Sequence, residues 1–219
     1  MGRGPVGAPA IIRYVNNSLA SVDDVSGADG SMKLIKTVTG DGSGTNVTFV
    51  NGTSDVVLDS TYPIYLFKFI NVNPVSGAST PTFGFNGSDD TSSHSYDITK
   101  TSTFFMAYHK EDGTNQTLTY NTSFDLAQST AVQRIQSGDG NVDADASGSG
   151  ELWLFNPPST TYVKHFMASF SNCDSDPSNA HYKVAGYFNT TAAITAIQFT
   201  YSSGNIESGQ IKLYGIKDS

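Results

Sequence analysis

The chain has 219 residues, a formal net charge of −8 and one cysteine, Cys173. It offers no Lys/Arg cluster to neutralise phosphates, so nucleic-acid binding is not expected, and a single cysteine excludes an intrachain disulfide. Charged residues make up 15% and aromatics 11% of a chain rich in Gly, Ser, Thr and Asn, a mix that suits short strands joined by tight turns and argues against a helical bundle or disorder.

Residues 1–29 read as an extended N-terminal arm. Gly2, Gly4, Pro5, Gly7 and Pro9 deny it regular structure, and only Ile11–Val15 looks strand-forming. Such an arm is held in place by packing on a neighbour, so Arg3, Pro5, Pro9, Ile11 and Ile12 are candidate assembly contacts. The opening MGRGPVGAPA has no apolar signal-peptide core, and no stretch is long enough to span a bilayer, so membrane insertion is not expected.

Residues 30–219 read as one antiparallel β-sandwich of the jelly-roll kind. SMKLIKTVTG gives a first strand, with Met32 and Leu34 alternating with Lys33 and Ile35. NVTFV, Asn51-Gly52 and SDVVL read as a hairpin, because Asn-Gly suits the two positive-φ positions of a type I′ turn. The run IYLFKFINV is apolar on both faces apart from Lys68, the mark of a strand deep in the sandwich or at an interface. PTFGFNGS is a short strand ended by Asn86-Gly87, and residues 88–96 are an exposed loop.

KTSTFFMAYH is the next strand, turned by Asp112-Gly113 into TNQTLTYN. Residues 125–136 fit neither period cleanly and stay open between a helical turn and a crossover. After the polar stretch 137–150, ELWLFNP sets Trp153 and Phe155 opposite Leu152 and Leu154, and Pro157-Pro158 stops it. YVKHFMASF puts Phe166, Ala168 and Phe170 on one face, residues 172–181 are a polar loop, and YKVAGYF follows. Ile194–Tyr201 and Gly209–Ile216 close the chain as an expected hairpin, with Ile197, Phe199, Ile211 and Leu213 as core. Lys212 and Tyr214 form the face where a neighbour sits.

SSGNIESGQIKLYGIK near the C-terminus resembles the closing segment of jelly-roll modules in structural proteins of tailed bacteriophages, particularly virion proteins of marine phages. SLASVDDVSGADGSMKLIKTVTG, FNPPSTTYVKHF and GYFNTT are similar too, so the likeness covers nearly the whole chain after Asn17. The resemblance implies a virion component that forms a homo-oligomer, with a trimer favoured, and that contacts other virion proteins. Tail fibre, appendage or baseplate is the expected position, with head decoration or a glycan-binding adhesin as alternatives.

The sharpest pattern for chemistry is DGNVDAD, where Asp139, Asn141, Asp143 and Asp145 place oxygen ligands at every second position, as the first half of a calcium loop does. Position 6 is Ala144 rather than Gly, and Gly150 stands at position 12, departures that favour an acidic solvated loop over a calcium site. His94, His109, His165 and His181 show no metal-ligand spacing, and no nucleophile elbow or phosphate-binding loop occurs. The expectation is a protein that is not an enzyme and has no cofactor. Tyr96, Tyr162 and Tyr182, in or beside polar loops, are candidate glycan contacts by stacking. Cys173 is expected to be partly buried.

Overall fold

The computed structural model describes residues 12–15, 18–22, 31–75, 81–137, 147–174 and 178–217. Strands β1 (Ile12–Val15) and β2 (Ser18–Val22) pair antiparallel with each other. The sandwich is built from β3 (Met32–Thr39), β4 (Asn46–Val50), β5 (Ile64–Pro74), β6 (Phe83–Ser88), β7 (Lys100–Lys110) and β8 (Gln116–Tyr120). It continues with β9 (Gln133–Arg134), β10 (Gly148–Phe155), β11 (Lys164–Asp174), β12 (Ser178–Phe188), β13 (Ala196–Tyr201) and β14 (Ile206–Ile216). No helix occurs among the described residues.

Two antiparallel sheets pack face to face, one of order β3-β14-β5-β10-β11-β12-β7-β8 and one of order β4-β13-β6-β9. Their connectivity is that of a jelly roll. With β7, β8, β11 and β12 set aside, successive strands alternate between a β3-β14-β5-β10 sheet and a β4-β13-β6-β9 sheet, except that β6 and β9 pair within the latter. The four strands set aside are two insertions, β7-β8 between β6 and β9 and β11-β12 between β10 and β13. Both join the same sheet beyond β10 and double its width.

The core between the sheets is aromatic. Phe199 on β13 meets Phe67 and Phe69 of β5 edge-on, with ring centroids 5.0 and 5.1 Å apart, and also touches Phe49 and Phe83. These rings are all but fully buried, and each supplies the area of a large apolar side chain, which lets a chain with 37% apolar residues fill two layers. The inward residues are those the alternation assigned: Leu152 and Leu154, Phe166, Ala168 and Phe170, Ile211 and Leu213.

Several local expectations change. β13 and β14 do not form a hairpin, because β13 pairs with β4 and β6 while β14 pairs with β3 and β5. Alternation reads the same for a strand in either layer, so the two apolar faces meet across the core instead of side by side. Asn51-Gly52 does turn the chain, with Gly52 at φ 76°, but Val56 and Leu58 sink into the core without forming a second strand. The Leu58 N–H donates to Asn51 Oδ1 at 2.9 Å, which fixes that bend.

Asn86-Gly87 does not end a strand but lies inside β6, where a Cβ on Gly87 would stand 3.0 Å from the Phe188 ring. Residues 125–136 contain no helical turn, only the short β9. Residues 178–181, read as loop, belong to β12. Cys173 is exposed rather than partly buried.

Candidate functional site

The widened sheet has an outer face that no part of the described chain covers. Because Leu152 and Leu154 point inward, Trp153 and Phe155 must point out, and the register carries that side across the sheet. Leu34, Tyr214, Leu66, Trp153 and Met167 stand opposite one another in turn on β3, β14, β5, β10 and β11. A second line beside it runs through Met32, Ile216, Ile64 and Phe155.

On the inserted strands the same face adds Phe105, whose ring meets Tyr120 edge-on at 5.2 Å, and Leu118 opposite Ala107. Leu66 is buried yet sits outside the core cluster, so it lies beneath its outer-face neighbours. Leu34 is 50%, Phe105 45%, Met167 55% and Leu118 79% exposed, far more than large apolar groups ordinarily show.

Phe105, Trp153, Phe155, Met167 and Ala185 line a groove of about 450 Å³ on this face, with Glu151 and Lys183 at its polar margin. The Trp153 indole N–H donates to Glu151 Oε1 at 3.0 Å, which fixes the ring as one wall. Thr101, His165 and Tyr187 border a neighbouring depression of about 470 Å³ that shares Phe155 and Met167. Most of the charges nearby are basic: Lys212 stands opposite Lys68, which in turn stands opposite the acidic Glu151, and Lys183 stands opposite Phe105.

Carboxylates gather elsewhere, in the loops at the end of the sandwich where β5 begins and β6 finishes. Asp55, Asp59, Asp89, Asp90 and Asp97 lie there. The Thr61 hydroxyl beside Asp59 and the Ser95 hydroxyl beside Asp90 hold both carboxyls below the usual range, which keeps them ionised.

One nucleophile–base contact occurs on the outer face, Ser169 Oγ to His181 Nε2 at 2.9 Å. Burial and the nearby Lys183 lower the His181 pKa, which favours the neutral ring. Acyl transfer also needs donors for a developing oxyanion. Ser169 lies mid-strand, and β11 is paired on both sides by β10 and β12, so its ladder N–H groups point along the sheet rather than into the groove. The pair is therefore a polar contact between neighbouring strands.

Of the residues singled out from sequence, Lys212 and Tyr214 belong to this outer face. Ile12 lies in β1, whereas Arg3, Pro5, Pro9 and Ile11 fall outside the described residues. So do Asp139, Asn141, Asp143 and Asp145; among the described residues no group of three or more His, Cys, Asp or Glu is placed to hold a metal ion. Tyr162 is 71% exposed on the loop after β10, and Tyr96 is half-buried beside His94.

Tyr182 does not fit a glycan contact. It is 1% exposed, its hydroxyl is 3.0 Å from Ser137 Oγ and its ring packs on Phe104. Trp153, Met167 and Phe105 are the residues that sequence reading passed over. Their signal was present in the apolar outer positions of β10, β11 and β7, strands whose inner positions are apolar as well.

No protein-family model matches the chain, and no curated protein matches it either. No helix among the described residues is long and apolar enough to cross a membrane.

Proposed function

We propose that the protein is a structural component of a tailed-phage virion, a jelly-roll module without enzymatic activity that self-associates through the outer face of its eight-stranded sheet. Its place is the tail, as fibre, appendage or baseplate-associated subunit. The observation that carries self-association is the line Leu34, Tyr214, Leu66, Trp153 and Met167 across five strands. An uncovered apolar surface of that breadth is what protein contacts bury. The likeness of SSGNIESGQIKLYGIK and FNPPSTTYVKHF to phage jelly rolls supports the virion setting.

The occupant is a second copy of the chain. Stacking the face on itself would bring Lys68 and Lys212 near their own counterparts, whereas the acidic loop end of a neighbour complements them. Contact between two different surfaces of the same chain is heterologous, and where its rotation closes it makes a ring, of which a trimer is the simplest. Quantitative mass spectrometry of purified particles tests the setting. Peptides of the chain are expected at the low copy number of a tail protein, head decoration would give far more copies, and absence from the particle contradicts the proposal.

A further inference from the structure

Two lysines end inside the sandwich. Lys100 opens β7 and Lys164 opens β11, both stand opposite Phe188 of β12, and both are fully buried. Lys164 Nζ donates to the backbone carbonyls of Thr190 and Ala192. Lys100 Nζ is differently placed: it donates to the side-chain Oδ1 of Asn86 at 2.6 Å and to the Ile98 carbonyl at 2.7 Å. Asn86 lies on β6 in the opposite sheet and is 2% exposed. Its Nδ2 donates to the Thr130 carbonyl at 2.9 Å, and its Oδ1 also accepts the Gly87 N–H at 2.9 Å.

We propose that Lys100 and Asn86 join in an isopeptide bond that ties the four-stranded sheet covalently to the eight-stranded one. The neutral Nζ attacks the carboxamide Cγ, the Nζ–Cγ bond forms and the Cγ–Nδ2 bond breaks. One Nζ proton passes to Nδ2, which leaves as ammonia. Atoms and electrons balance without an oxidant or a co-reactant.

The surroundings favour the attack in four ways. The two groups are already in contact on rigid strands, which removes most of the entropic cost of encounter. Burial pushes the Lys100 amine down to about 7, against the opposing pull of Asp97, so the nucleophilic form is populated near neutrality. The Gly87 N–H on Oδ1 stabilises charge that develops there. Ile98 and Phe188, both buried, keep out water. Among the described residues Lys164 donates only to backbone carbonyls, and it serves as an internal control.

Mass spectrometry of the denatured full-length protein decides the matter. The expected mass falls below the sequence mass by one ammonia. Trypsin cuts after Lys164 but not after Lys100, and chymotrypsin, cutting after Tyr96 between the two residues, leaves their fragments joined. Asn86-Gly87 and Asn51-Gly52 can also lose ammonia as linear succinimides, so cleavage pattern as well as mass is read. In Lys100→Met the ammonia loss is expected to disappear. Full sequence mass, or normal cleavage after Lys100, overturns the proposal, as does chymotryptic release of the Asn86 and Lys100 fragments as separate peptides.

Discussion

The inner and outer faces of the eight-stranded sheet are both rich in large apolar side chains, yet only the inner one is covered within the described chain. On the inside, Phe67, Phe69, Phe166 and Phe170 are sealed by the four-stranded sheet and its loops. On the outside, Trp153, Met167 and Phe105 stand in an open groove. The difference teaches that a strand apolar on both faces fills only one of them from within the described chain, and the proposed self-association is what gives β5 and β10 a second partner. Substitutions on the two faces therefore divide between folding and assembly.

Phe199→Ala makes the largest break. It removes a ring that touches aromatics of both sheets, and a cost of about 3–5 kcal/mol in urea unfolding is expected, with no effect specific to association. A loss below about 1 kcal/mol would show that the core is not organised around this ring.

On the outer face the balance reverses. Met167→Lys is expected to change the stability of the monomer by no more than about 1 kcal/mol while weakening self-association at least about tenfold, read by sedimentation across a concentration series. Equal damage to folding and association would erase the distinction between the faces.

Lys164 sharpens the comparison through pH. Burial lowers its pKa below the ordinary 10.5, with Asp89 acting the other way. Between the folded-state pKa and 10.5 the unfolded chain holds a proton that the folded chain does not, so stability rises with pH in that window and flattens below it. The difference in stability between the parent and Lys164→Met should therefore shift in favour of the parent as pH rises on the alkaline side. A constant difference would mean that the ammonium is not desolvated.

Tyr162→Ala is the smallest change, expected within about 0.5 kcal/mol because the ring is largely exposed, against a far larger loss for Tyr182→Ala in the core. Thermal unfolding of the two variants side by side checks the reassignment of Tyr182.

The layer architecture was legible because period-two alternation assigns inward residues strand by strand, as Leu152/Leu154 and Ile211/Leu213 show. Pairing was not. Ile194–Tyr201 and Gly209–Ile216 look like a hairpin locally, and only the rest of the jelly roll sends them to different sheets. Asn86-Gly87 carried a turn signal that the buried environment overrode, since Gly87 gives the Phe188 ring room and Asn86 meets Lys100. The outer face was half visible: Lys212 and Tyr214 were read from alternation, but Trp153 and Met167 join them only through register across strands distant in sequence.

The most direct test of the account is sedimentation equilibrium of the full-length protein beside Met167→Lys and Phe105→Lys. The parent is expected to sediment as a multiple of the chain mass, with a trimer expected, and both variants to shift toward monomer while keeping the parent's circular dichroism. A parent that stays monomeric at every concentration, or variants that associate as the parent does, would contradict self-association through the outer face.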